Sequence, residues 1–461
     1  MALALLFPAA GHTNPAEREN LVAIVGVTVV HPEREGAAVL APDSTIIIRG
    51  NRIDAVLHHA AIELPQGATV IDGRGRWLIP GLVDAHVHFF QSGNLYTRPD
   101  VVDFNAVVPY AAEVTRNQAR LDATFKVWLA SGVTGVVDIG GPFWNFDVRD
   151  RAAATATAPR MAVAGPLISM VARPQLDLGD PPIIRIDTPE AGLALVQRVL
   201  ARNADFVKVW FIHQPGDDLA AQEAIVKAAG DAAHAAGKRL AVHATELLVA
   251  KAALRAGADF LVHSVFDAPV DEAFIALARR NKVIYCPTLF VVQGYQLALS
   301  NLWRATPAEE RRADPEILAA MDDLNGIPAD KRPERVARAM QAAKMPEPPM
   351  IGMQNLRKLQ EAGITVVMGT DAGNIGTLHG PSILREMQLM QESGLTPLEV
   401  LRTATTNGAL ALGMPDDLGV IAPGRLADLV VLDADPLADT ANLAHVHRVI
   451  KDGRVYDPDA F

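Results

Sequence analysis

Cysteine is all but missing from this sequence: the 461 residues contain one, Cys286. A single thiol excludes an intrachain disulfide and a cysteine-built zinc cluster. No apolar run reaches the roughly 18 residues that a membrane-spanning helix needs. Lysine- and arginine-rich runs are absent and the formal net charge is −11, which argues against a nucleic-acid partner. What is left is ordinary globular composition, half hydrophobic and 21% charged. The length suits one large domain with a smaller companion. Nothing in the sequence reads out an oligomeric state, so a homo-oligomer stays open. The opening "MALALLFPAAGHTNPAEREN" is apolar and then polar. It resembles the end of an export signal but lacks a positive start. A cytoplasmic location is therefore the expectation, with export or a periplasmic location as the alternative if residues 1–20 are a signal remnant.

Both ends of the chain read as strands and tight turns. At the start these are "LVAIVGVTVVHP", "STIIIRGNRIDAVLHH" and "ATVIDGRGRWLIPG". At the end they are "LGVIAPGRLADLVVLDADP" and a hairpin around Asp452-Gly453. One small β domain built from residues 1–80 and 413–461 is expected. Between them, residues 81–412 alternate strand-length apolar runs with alanine-rich helical stretches. Eight strands are predicted, at 82–90, 133–139, 161–168, 206–211, 239–244, 260–266, 283–289 and 364–370. Ala-Gly or Ser-Gly pairs before several of them read as helix C-caps. Eight β-then-α units predict an α/β fold of the parallel (β/α)8 TIM-type barrel. Residues 290–351 form an insertion before strand eight, read equally well as a lid or as a helical excursion.

In such a barrel the active site is built at the C-terminal strand ends. Strand one ends in His86-Val87-His88, and period-two spacing turns both imidazoles to one side. Strand four carries Lys208 within "FVKVWF", strand five His243, strand six His263, and strand eight ends in "GTDAG" with Asp371. Convergence of these side chains from five strands predicts a metal site. Lys208 is the odd member. A buried ammonium without a partner is expensive, so it is either paired, with Asp138 the obvious carboxylate, or no longer an ammonium. The second "HVH", residues 445–447, lies in the terminal hairpin and is expected to face solvent, as are His58, His59, His213 and His234.

"LIPGLVDAHVHFF", Lys208, "LAVHA", "FLVHSV", "GTDAG" and "LGVIAPGRLADLVVLDADPL" together resemble the amidohydrolase superfamily, over about Val22 to Val455. "VHATELLVAKAALRAGADFLVHSVFDAPVDEAF" and "CPTLFV" are similar to its imidazolonepropionase-like branch, which includes metal-dependent prolidases. The resemblance implies a hydrolase cleaving the C–N bond of a small-molecule amide, a dipeptide or an N-acyl amino acid. It implies two divalent metal ions, zinc first among those that nitrogen and oxygen donors suit. One ion would sit on His86, His88 and Asp371 and the other on His243 and His263. Lys208, carboxylated by CO2, would bridge them. Asp371 would be the general acid/base for a metal-activated water. His379 and Tyr295 are expected to contact substrate from their loop positions, and Arg98, Arg304, Arg311 and Arg312 are candidates for a substrate carboxylate. The rival enzyme reading is a mononuclear deaminase or cyclic-amide hydrolase in which Glu246 of "HATE" shuttles protons. A third reading is a barrel that has lost its chemistry.

Overall fold

The computed structural model describes residues 20–58 and 63–461. Nearly all of the stretch read alternatively as a signal remnant, and His59, lie outside the described residues. Barrel strand one is Leu82–Val87, two Val133–Asp138, four Phe206–Trp210, five Arg239–His243, six Phe260–Val262, seven Ile284–Cys286 and eight Thr365–Val366. Neighbours pair in parallel, and strands four to eight follow in unbroken order. The ring closes through single bonds between strands eight and one. Ala85 N donates to the Met368 carbonyl at 2.9 Å, Asp371 N to the His86 carbonyl at 2.7 Å, and His88 N to the Ala372 carbonyl at 2.8 Å. The protein is a (β/α)8 barrel carrying a small β-sheet domain.

Strand three differs from the single run expected at 161–168. It is two short pieces, Arg160–Val163 on strand two and Leu167–Ser169 on strand four. The break falls at Gly165, whose φ is +75°, and Pro166, which has no N–H to give the ladder. Strand four shows how alternation sets the site. Phe206 joins Ala241, Phe260 and Ile284 in a cluster inside the barrel, while Val207, Val209 and Phe211 join the layer under the helices. Period two then turns Lys208 inward with Phe206.

The two ends of the chain share one sheet. Its order is Arg454–Tyr456, Val446–Lys451, Leu429–Leu432, Trp77–Pro80, Leu21–Val30, Leu40–Arg49 and Arg52–His58, with Thr69–Asp72 added on Leu21–Val30. Leu429–Leu432 runs antiparallel to Trp77–Pro80, which leads straight into barrel strand one. In the terminal hairpin Val446 and Val449 are buried while His445 is exposed.

The insertion is helical, with helices Phe290–Leu299, Pro307–Arg312, Pro315–Met321 and Glu334–Ala342. Its first half is tied down. Glu386 accepts from Leu289 N at 2.8 Å and Phe290 N at 2.9 Å, and the Trp303 indole donates to the Gly376 carbonyl at 3.0 Å. An ion pair between buried Glu309 and half-buried Arg385 at 2.6 Å adds a second tie. Helix Glu334–Ala342 is looser, with Val336 its buried residue.

Candidate active site

The C-terminal rim gathers four imidazoles into a row, His88–His86–His263–His243, with successive ring centres 5.2, 4.8 and 4.4 Å apart. Asp371 lies against this row. Its Oδ1 is 3.0 Å from His88 Nε2 and 3.2 Å from His86 Nε2, and its Oδ2 is 4.0 Å from His263 Nδ1. Donor atoms of His86, His263 and Asp371 lie within 4.8 Å of one another. The backbone is bent to achieve this: φ is +72° at His263, +62° at Asp371 and +44° at Thr288. Left-handed geometry at non-glycine residues costs about 1–3 kcal/mol each and is typical of sites that must aim a side chain.

Supporting hydrogen bonds fix the rings. His88 Nδ1 lies 2.6 Å from the Gly140 carbonyl. A carbonyl only accepts, so Nδ1 carries a proton and Nε2 is the ring atom turned to the Asp371 carboxylate. Two lone-pair atoms at 3.0 Å repel unless a proton or a cation lies between them, and that spacing suits two donors of one cation. His263 Nδ1 bonds Thr288 Oγ1 at 2.6 Å. Asp84 locks strand one to strand eight. It accepts from His86 N at 3.1 Å, Thr370 N at 3.0 Å and Thr370 Oγ1 at 2.6 Å, and burial pushes its carboxyl up to about 7.

Lys208 is 2% exposed, and its Nζ has no hydrogen-bond partner. The alternative pairing with Asp138 is not made. Asp138 accepts from Asn145 Nδ2 at 2.6 Å, Phe89 N at 3.2 Å and Gly140 N at 3.3 Å. Burial pulls the Lys208 ammonium down to about 7, against the opposing attraction of Asp371. Burial likewise holds His243 and His263 well below the usual imidazole value and His86 at about 4, so the rings are neutral donors. Burial opposes ionisation of Asp371, but its contacts with His86 and His88 hold the carboxyl well below the ordinary range. Imidazoles and one carboxylate, beside an amine that gives up its proton near pH 7, are the donor set that divalent cations take.

All six predicted ligands line one cleft of 740 Å³, which Trp210, Phe266 and Tyr295 also border. Tyr295 therefore stands where expected. Its hydroxyl donates to Asn374 Oδ1 at 2.5 Å and receives Arg98 Nη1 at 3.2 Å. Glu246 lines the cleft as well, from the N-cap position of helix Leu247–Arg255 rather than its first turn, and makes no capping bond. His379 is not on the cleft. It packs behind His88, with Nε2 3.2 Å from the His88 carbonyl, and stacks on Phe89 at 5.4 Å. Of the four arginine candidates, only Arg98 reaches the cleft; Arg311 and Arg312 pair with Asp459, and Arg304 bonds backbone carbonyls. Sequence reasoning missed Asp84, Thr288, Asn374 and Arg335. Asp84 was detectable, two residues before His86 and thus on the same strand face; the others lie in loops or the insertion, with no period to expose them.

A (β/α)8 barrel with this donor cluster on its catalytic rim defines the class as a barrel hydrolase. The amidohydrolase family model matches residues 77–456, and the chain belongs to that family. An uncharacterised protein of Mycobacterium tuberculosis is 27% identical over 398 residues, 85% of this chain and 87% of the relative. An imidazolonepropionase from Cutibacterium acnes is 41% identical over 102 residues, 21% of this chain and 25% of that enzyme. Among solved structures, a prolidase complexed with N-methylphosphonate-L-proline is 25% identical, with a TM-score of 0.69 over 95% of this chain and 100% of that one. Among the described residues no helix is long and apolar enough to cross a membrane.

Proposed function

We propose that this protein is a metal-dependent hydrolase of the amide bond in a dipeptide or N-acyl amino acid, working with two divalent cations, zinc foremost. The observation that carries this reading is the unpartnered Lys208 Nζ, buried among four imidazoles and Asp371. With its proton affinity lowered to about 7, the amine has a lone pair to attack CO2. Forming the N–C bond and losing one proton from Nζ would give a carbamate, an anion whose oxygens would join the ligand set. His86, His88 and Asp371 form one half, and His243 and His263 the other. Divalent cations held by these residues would supply a water of lowered pKa, near about 7, and polarisation of the scissile carbonyl.

The chain's own groups do the rest. Asp371, kept anionic, takes the proton of the attacking water and delivers it to the leaving nitrogen. Tyr295, held in place by the Arg98 donor, turns its one hydroxyl hydrogen from Asn374 Oδ1 to the developing oxyanion. Trp210 and Phe266 give the cleft apolar walls for the substrate's side chain. The likeness to a prolidase supports the choice of an amide next to a carboxylate.

The test is a screen of dipeptides and N-acyl amino acids against zinc-loaded protein, with metal counted per chain. Two ions and amine release are expected. The competing reading, a one-metal deaminase or cyclic-amide hydrolase using Glu246, is favoured by that carboxylate's place on the cleft and by the likeness to imidazolonepropionase. One ion per chain, with ammonia or a ring-opened product, would select it.

A further inference from the structure

Two arginines line the cleft, and they are not equivalent. Arg98 looks like the natural clamp for an anionic substrate group, but its donors are committed. Nε and Nη2 grip Asp100 at 2.7 and 2.8 Å, and Nη1 donates to Asn374 Oδ1 at 2.7 Å and Tyr295 Oη at 3.2 Å. Its charge is matched by Asp100, whose side chain is 1% exposed. Arg98 is thus a fixed strut for Tyr295 and Asn374.

Arg335 is the reverse case. Its one hydrogen bond is Nη1 to the Val101 carbonyl at 3.3 Å, which leaves four N–H donors free. No carboxylate lies in ion-pair range of it among the described residues. The cleft carboxylates outside the histidine row, Glu246 and Asp267, come from the loops after strands five and six and do not pair with it. The surroundings reinforce the charge. Residues 330–347 carry Lys331, Arg332, Arg335, Arg338 and Lys344 against Asp330, Glu334 and Glu347, with Lys344 on Glu347 and Arg338 near Glu334, so the segment keeps a modest positive excess in a chain whose net charge is −11. A local cationic segment beside a cleft raises the concentration of anions there.

We propose that Arg335, on the insertion helix Glu334–Ala342, receives the anionic group of the substrate and makes the enzyme selective for anionic amides. This rests on the amide-hydrolase reading for its chemistry, and it adds which residue reads the substrate's charge. The long Arg335–Val101 bond, which loosely joins the insertion to the loop after strand one, is the contact an arriving carboxylate replaces. Two parallel N–H bonds from a free guanidinium suit a carboxylate better than one long bond to a carbonyl.

The test compares wild type, Arg335→Gln and Arg335→Lys as zinc-loaded full chains. The probes are N-acetyl-L-amino acids and their matched carboxamides, which keep shape and lose charge. Turnover gives KM and kcat, and calorimetry gives equilibrium binding of the same pairs. Wild type should prefer the acids, and added salt should erode that preference. Arg335→Gln should weaken the acids about tenfold through KM or Kd, with kcat and the carboxamides unmoved, and Arg335→Lys should recover part of the loss. No preference for acids in wild type, an equal loss for both members of each pair, or no change in Arg335→Gln would overturn the proposal. Binding without turnover separates the two readings: charge preference in binding with no amide cleaved removes the hydrolase assignment and leaves the role of Arg335 standing.

Discussion

Lys208, buried without a hydrogen-bond partner, carries a stability cost in the same side chain to which the proposed function gives the central chemical role. Replacing it with alanine should lower amide turnover by at least about 10²-fold and release one of two bound ions, read by metal analysis alongside kinetics. Its titration has a stability signature. Burial lowers its pKa from 10.5 to about 7, so between those values the unfolded chain holds a proton that the folded chain has released. Stability of the metal-free protein should therefore rise with pH across that window, with the burial penalty in full force below pH 7. The limit is about 5 kcal/mol, and Lys208→Met should flatten the slope in urea midpoints. The histidines act at the other end. With His86 held near 4 against an ordinary 6.5, and His243 and His263 shifted the same way, acid should destabilise the metal-free protein as pH falls from 6.5 toward 4. Cation binding, which needs those rings unprotonated, should weaken over the same range.

Helix Phe290–Leu299 is the element that carries Tyr295, and Glu386 holds its start. Glu386→Ala leaves two buried N–H groups, of Leu289 and Phe290, without an acceptor, which should cost about 2–4 kcal/mol in chemical denaturation. Because the helix then shifts, kcat should fall even at temperatures where the barrel stays folded. How far the sequence disclosed such elements follows from periodicity. His86, Lys208 and His243 sit on strands, where alternation fixes the face, and His88, His263 and Asp371 follow strand ends; the structure brings all six together. The barrel's strand count was equally open to reading, because apolar runs and Ala-Gly stops recur. Strand three was misread as continuous because Gly165-Pro166 sits inside an apolar run, and its break is a backbone property that hydropathy does not register. Loop residues left less trace. His379 was read as a substrate contact from its place after strand eight, yet the chain turns it behind His88 onto Phe89. Arg335 was invisible because an arginine in a polar insertion looks like any exposed charge.

Across the whole molecule, the catalytic rim and the terminal sheet are coupled through strand one. Chelation should abolish turnover and readdition of zinc should restore it, which checks cation dependence by activity assay. Removing residues 429–461 should instead abolish soluble expression, since Leu429–Leu432 lies between Trp77–Pro80 and Val446–Lys451 in the sheet. Arg160 of strand three reinforces that join, with Nε 2.8 Å from Asp428 Oδ2. The shared sheet also dictates the order of events at the ribosome. Translation runs at about 5–20 residues per second, so Trp77–Pro80 waits many seconds for the strand made some 350 positions later. Through that delay the nascent chain presents an unpaired strand edge leading directly into the segment that bears His86 and His88.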